Sequence, residues 1–410
     1  MPAMKAPVSA SRPALAQPVT AGILAGIVGF ASAFTIVLEG LGGVGASPAE
    51  AASGLFVLCL VQGLLAIFLS LRTRLPISIA WSTPGAALLM GAGVPHGGFG
   101  VAVAAFLMTG ALIVVAGLWR PLGRAVAAIP MSLASAMLAG VLMEFCLAPV
   151  QAVAHLPDLA LPIVLAWAVG WCVARRYAVL IAVAVAAAIV VATAAVPPDA
   201  IGLLRPRLVF VRPVFDLLPA LGIAVPLFIV TMAAQNVPGI AVLRTYGYDA
   251  PVGPVFVSTG LGSIVTAVFG GHGVNLSAIV AALCAGPEAG PDPARRYLAS
   301  IAAGATYIVL GSLAGLASAF IAASPPLLIE AVAGLALFGS LGAAMASALA
   351  DETHRIAAIV TFVTAASGIG IFGIGAAFWG LVAGGFLLLL EGGAKRLGTV
   401  RKATVNSGAG

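Results

Sequence analysis

The chain has 410 residues, 62% of them hydrophobic and only 8% charged, with a mean hydropathy of +1.17. A soluble domain carries roughly 45–50% apolar and 25% charged residues, so the composition excludes one and requires a membrane-embedded chain. The net charge of +6 does not point to nucleic acid, because the 19 Lys and Arg stand in ones and twos between apolar runs, a distribution that speaks to membrane orientation.

Apolar runs of about 20 residues recur from Val19 to Leu390. A membrane barrel would show alternating segments of roughly 10 residues, so the spans are predicted to be helices. The first run, 19–41, is too long for the core of a secretory signal and is read as the first span. Proline, glycine and charge then divide the chain into predicted spans at 19–41, 50–71, 76–91, 98–119, 129–148, 159–174 and 177–196. A second set follows at 214–236, 252–269, 274–286, 297–321, 325–348, 355–371 and 373–391. The expected fold is an all-α polytopic membrane protein of about fourteen segments. Its expected parts are an N-terminal tail at 1–18, seven segments over 19–196, an external linker at 197–213, seven more over 214–391, and a C-terminal tail at 392–410.

Cytoplasmic loops collect Lys and Arg. With the N-terminus inside, sixteen of the 19 basic residues fall on inner segments, and only Arg205, Arg207 and Arg212 of the linker fall outside. Missing one span would reverse every later loop, so this bias supports an even count and two cytoplasmic termini. Each set of seven has a shortened third member. Their fifth members also begin alike, "IPMSLASAMLAGVL" at Ile129 and "SPPLLIEAVAGLAL" at Ser324. Two odd-numbered copies in series run in opposite directions across the bilayer, which is the inverted repeat on which many secondary transporters build a midplane site.

The shortened members carry the chemistry. In "LPISIAWSTPGAALLMGAG" an extended piece leads to Ser82, Thr83, Pro84 and Gly85, which read as the start of a short helix. In "VFGGHGVNLSAIVAALCAG" Gly270, Gly271 and Gly273 permit irregular backbone before a short helix expected from about Asn275 to Ala285. Non-helical backbone survives at membrane depth only inside protein or against a wet cavity. Two half-helices with their N-termini brought together would offer free N–H groups and partial positive charge to an anion; the competing reading is a pair of kinks filled by neighbouring side chains. A third polar island, Gln235, Asn236 and Pro238 in "TMAAQNVPGIAVL", offers uncharged amide donors or else bonds between helices.

These stretches, "ISIAWSTPGAALL", "MAAQNVPGIAVLRTYGY" and "GGHGVNLSAIVAALCAGPEAGPDPARRY", resemble the signatures of the benzoate:proton symporter family (BenE) over nearly the whole chain. The resemblance implies the fold of the nucleobase transporters, with a core domain of spans 1–4 and 8–11 moving against a gate of spans 5–7 and 12–14. It also implies import of benzoate or a similar aromatic carboxylate together with a proton. The nucleobase relatives carry glutamates in spans eight and ten, where this chain has Gln235 and Val274. A substrate bringing its own negative charge would be repelled by a buried carboxylate and accepted by an amide. The implied substrate site gathers Ser82, Thr83, Gly85, Gln235, Asn236, Gly273 and Asn275, with Phe30, Phe34 and Trp81 as walls for a ring. Those aromatics have packing as their competing role.

Ionisable residues within spans default to functional hypotheses. His272, among glycines at the broken tenth span, titrates near neutrality when unperturbed and as a cation would pair with a carboxylate. Glu39, Glu144 and Glu330 lie toward the outer ends of spans 1, 5 and 12 and are further proton-coupling candidates, or else structural groups. Cys59, Cys146, Cys172 and Cys284 stand singly with no ligand spacing, so neither a metal nor a cofactor is expected. The expected partners are substrate, proton and bilayer, with a homodimer as a possible assembly. No motif of an enzyme is present; the rival readings are a nucleobase or inorganic-anion carrier and a channel.

Overall fold

The computed structural model describes residues 16–31, 33–119, 121, 130–193, 207–369, 371 and 376–407. The N-terminal tail to residue 15, Arg120, Arg124 and the part of the linker holding Arg205 lie outside the described residues. The helices are α1 (Ala16–Ala31), α2 (Phe34–Gly43), α3 (Pro48–Thr73), α4 (Thr83–Met90), α5 (Phe99–Leu118), α6 (Met131–His155), α7 (Pro157–Val173), α8 (Ala178–Thr193) and α9 (Leu217–Thr231). A π-helical turn (Met232–Asn236) leads into α10 (Val237–Thr245). Then follow α11 (Val252–Ala267), α12 (Ala278–Ala285), α13 (Tyr297–Gly311), α14 (Ala314–Ala323), α15 (Pro326–Leu349), α16 (Arg355–Ala366) and α17 (Ala376–Ser407). Two strands, β1 (Ile79–Trp81) and β2 (Val274–Leu276), stand directly before α4 and α12.

Among the described residues six helical stretches are long and apolar enough to cross a membrane, and a seventh if α13 and α14, bent by 57° at their junction, count as one. Four shorter apolar helices, α7, α8, α11 and the first half of α17, accompany them. Several expected boundaries change. The first span, read as one helix, turns at Ala33, whose ψ of −5° at φ −144° is not helical. The amides at 235–236 do not end a helix: the chain passes through a π-turn and stays helical to Thr245. The last helix continues to Ser407, into the segment expected to be a tail. The all-α expectation also omits the two strands.

Local chemistry accounts for the ends. Ser47 and Glu50 form a reciprocal capping box at the start of α3, where Ser47 Oγ accepts from the Glu50 N–H and Glu50 from the Ser47 N–H at 2.8 Å; both leave fewer unpaired donors. Arg74, in the left-handed region at φ 57°, closes that helix. Glycines let backbones meet, as small residues do between membrane helices. A Cβ on Gly63 would stand 2.5 Å from the Gly304 carbonyl, and one on Gly304 2.7 Å from that of Gly63, locking α3 to α13. Gly110 and Gly260 do the same for α5 and α11.

One set of packed elements comprises α1–α5 and α9–α13, with α3 against α13, α5 against α11 and α1 against α13. A second comprises α6–α8 and α15–α17, centred on α6 packed against both α15 and α16. The sets touch where α4 meets α6, α9 meets α17 and α15 meets α2. Residues 207–216 run across one end of the first set: the Val209 N–H bonds Ser53 Oγ, the Val211 N–H the Val268 carbonyl, and the Val214 N–H the Gly100 carbonyl.

Candidate functional site

The broken segments meet. β1 and β2 pair antiparallel, with Ile79 opposite Leu276, Ala80 opposite Asn275 and Trp81 opposite Val274. The Ser277 N–H donates to the Ser78 carbonyl at 3.0 Å and extends the ladder. Both strands are buried throughout, so the pairing satisfies backbone groups that lipid would leave unpaired. Two eight-residue helices depart from the ladder, α4 after Ser82 and α12 after Ser277. The second begins three residues later than the expected start at Asn275, because residues 274–276 are needed for the ladder. Gly273, at φ 133°, and Gly270, at φ 89°, take conformations closed to most side chains. They turn the chain from α11 into β2.

Each helix start is partly self-capped, so fewer of the N–H groups expected to be free are available. Ser82 Oγ accepts from the Gly85 N–H at 3.0 Å, and Ser277 Oγ from the Val280 N–H at 3.2 Å. Position 84 is proline and donates nothing, so Thr83 supplies the remaining donor of α4 and Ala278 and Ile279 those of α12. Gly85 has a packing reason as well: a Cβ there would stand 2.7 Å from both Leu227 Cδ1 and Ser82 Oγ.

Ser82 is the hub. Its carbonyl faces His272 Nε2 at 3.0 Å, and Thr231 Oγ1 donates to its hydroxyl at 3.1 Å. A carbonyl only accepts, so Nε2 carries the proton and Nδ1 presents a lone pair. His272 is buried, and Nδ1 has no hydrogen-bond partner among the described residues. Asn275, with its amide oriented to satisfy both ends, accepts from the Ser82 N–H at 3.0 Å and donates to the Leu276 carbonyl at 2.7 Å. Asn236 Oδ1 accepts from the Leu276 N–H at 3.0 Å, and its Nδ2 contacts Met232 Sδ at 3.2 Å. Both asparagine amides therefore fasten the crossing, whereas sequence reasoning offered them to a substrate. Gln235, on the same π-turn, is buried and its amide makes no hydrogen bond among the described residues.

The three aromatics expected as walls do come together. Phe30 stacks on Phe34 with centroids 5.5 Å apart, and Trp81 meets Phe30 edge-on at 5.8 Å. Sequence reasoning missed the row's fourth member, Tyr307 of α13, which meets Trp81 at 5.7 Å and is fully buried. It also missed Ser263, whose Oγ accepts from the Val274 N–H at 3.0 Å, and Thr231. Hydroxyls inside the apolar runs of α9 and α11 were the available signal.

The glutamates divide. Glu39 on α2 and Glu330 on α15 lie close enough for their charges to interact across the contact between the two sets of helices. Glu144 lines a narrow cleft of about 30 Å³ between α6, the end of α4 and α16–α17, together with Leu88, Gly91 and Ala92. No group of three or more metal-ligating side chains occurs among the described residues.

The sequence model of the family described as "Benzoate membrane transport protein" matches residues 13–390. The chain is 41% identical over 369 residues to "Inner membrane protein YdcO" of Escherichia coli K12, covering 89% of this chain and 93% of that one. It is 29% identical over 373 residues to the "Benzoate membrane transport protein" of Acinetobacter baylyi, covering 90% and 94%. Among solved structures it is similar to the transmembrane domain of the cyanobacterial bicarbonate transporter BicA, with TM-score 0.60, 17% identity and coverage of 90% and 97%. The murine anion transporter Slc26a9 in its inward-facing state is similar at TM-score 0.59 and 14% identity, over 94% of this chain and 69% of that one. At such identities the likeness is one of fold: a helical, multi-pass membrane transporter fold.

Proposed function

The chain belongs to the benzoate membrane transport family (BenE), a family of membrane transporters and not of enzymes, and from that premise we propose that it imports benzoate or a similar aromatic carboxylate together with a proton. The observation that carries the reading is the crossing itself: two serine-capped half-helices on an antiparallel ladder, with a buried histidine bonded across it. Helix N-termini favour an anion. The substrate's carboxylate is held by the remaining donors of α4 and α12, Thr83 and the amide of Gln235, and its ring lies toward the row of Phe30, Phe34 and Trp81. Ser82, Asn236, Asn275 and Gly273 shape the crossing rather than touch the substrate, and Gly85 keeps α4 close to α9.

His272 Nδ1 accepts the proton. Anion and cation then enter together, and the loaded site is neutral and easier to carry through a low-dielectric layer. Glu39, Glu330 and Glu144, at contacts between the two sets of helices, relay protons or respond to the closing of one set on the other. The first set acts as the core and the second as the gate, in an alternating-access cycle. The fourteen-segment inverted repeat belongs to the same reading, supported by the matched pattern of strand, serine cap and eight-residue helix at β1–α4 and β2–α12. So do a bacterial-type inner membrane, two cytoplasmic termini and a homodimer.

The second reading is an inorganic-anion carrier, favoured by the fold shared with a bicarbonate transporter. Uptake of labelled benzoate into proteoliposomes, with and without an uncoupler, tests the proposal. Saturable, uncoupler-sensitive uptake competed by benzoate analogues and not by uracil, bicarbonate or sulfate is expected. Competition by the inorganic anions alone would favour the second reading, and linear flux indifferent to the pH gradient would favour a channel.

A further inference from the structure

Arg296 is the one Lys or Arg side chain that is buried among the described residues, at 8% exposure. Its guanidinium donates through one terminal nitrogen to the Ala285 carbonyl at 2.8 Å and through Nε to the Gly290 carbonyl at 2.8 Å. Ala285 is the last residue of α12, so the guanidinium sits on the negative end of the half-helix whose other end forms the crossing. No carboxylate lies within 4 Å of it among the described residues; the neighbouring Asp292 contacts Arg295 instead, at 3.3 Å. Tyr248 stands beside it and donates its hydroxyl to the Pro293 carbonyl at 2.9 Å. Among the described residues α4 has no such cation: it ends at Met90 with Gly91 as its cap, and the charged side chain in the cleft beside that end is Glu144.

We infer that Arg296 is an affinity-determining residue for the transported anion, acting through α12 without touching the substrate. The inference rests on the reading of the crossing as an anion site. An eight-residue helix is about 12 Å long, and a buried charge at its far end is weakly screened by salt. The guanidinium offsets the partial negative charge of the C-terminus and leaves the crossing more positive than the helix alone would. A unit charge roughly 12–15 Å from an anion, at an effective dielectric of about 20, changes its affinity about fivefold to tenfold. A neutral ligand of the same shape gains nothing from it.

The test measures equilibrium binding of benzoate and of its uncharged isostere benzamide to the purified full-length protein and to R296Q and R296K. Preference for benzoate in the unmodified protein, a fivefold to tenfold loss of benzoate affinity in R296Q with benzamide unchanged, and preference retained in R296K are expected. Equal weakening of both ligands in R296Q makes Arg296 a structural cap only and overturns the inference, as does unchanged benzoate affinity. Should R296Q not fold, R296K decides: it keeps the charge and loses the fork, so reduced thermal stability with intact preference supports the inference, and lost preference refutes it. If the unmodified protein binds benzamide as well as benzoate, the anion site fails first, and that outcome is separate.

Discussion

Replacing Asn236 with Ala separates a clamp from a substrate ligand. The Asn236 side chain is fully buried, and its Oδ1 is the partner of the Leu276 N–H at 3.0 Å, at the end of β2 that leads into α12. Removing it strands a buried backbone donor, which costs about 1–3 kcal/mol; the weak contact to Met232 Sδ adds little. A loss of about 2 kcal/mol multiplies the population with β2 detached about 30-fold. Hydrogen exchange at Leu276 and along β2 should accelerate by about that factor, and turnover should fall because the start of α12 is no longer fixed. Were Asn236 a ligand instead, benzoate affinity would fall while exchange at Leu276 stayed as it was. That result would refute the reasoning.

The other expectations concern different parts of the site. Gln235→Glu places a carboxylate where the amide has no hydrogen-bond partner among the described residues; at about 4 Å from a bound anion and an effective dielectric near 20, repulsion of about 4 kcal/mol should abolish benzoate binding at neutral pH, and undiminished affinity in a binding assay would remove Gln235 from the site. His272→Gln keeps a donor for the Ser82 carbonyl and removes the titratable nitrogen, so exchange of benzoate should persist while accumulation driven by a proton gradient is lost; unchanged accumulation would clear His272 of coupling. Outside the spans, Asp351 caps the turn between α15 and α16 by accepting from the Thr353 N–H at 2.8 Å, with His354 Nδ1 2.6 Å away. The Thr353 N–H and His354 hold its carboxyl below the ordinary value of 3.8. A depressed acid contributes stability above its unfolded value and loses it as pH falls through the folded one. Order in this turn, read by exchange at Thr353, should therefore survive to below pH 3.8 and then fade, and in Asp351→Asn that pH dependence should vanish.

The sequence by itself determined the membrane class, because a chain 62% hydrophobic and 8% charged is far too apolar for a water-solvated domain. It also determined where the backbone breaks. Proline after Ser82-Thr83, and glycines at 270, 271 and 273, are local constraints on dihedral angles that act whatever surrounds them. The roles of side chains at those breaks were not local. Asn236 and Asn275 looked free to bind a substrate, but the Ser82 N–H reaches Asn275 only through strand pairing across almost 200 residues of chain, and the Leu276 N–H reaches Asn236 only where β2 packs on the π-turn 40 residues earlier. Tyr307 and Arg296 gave little periodic signal, since one completes an aromatic row and the other closes a half-helix through contacts made only in three dimensions. The physical reason is that a dihedral preference belongs to one residue and its neighbours, whereas a buried hydrogen bond belongs to two groups, and only the folded chain decides which two meet.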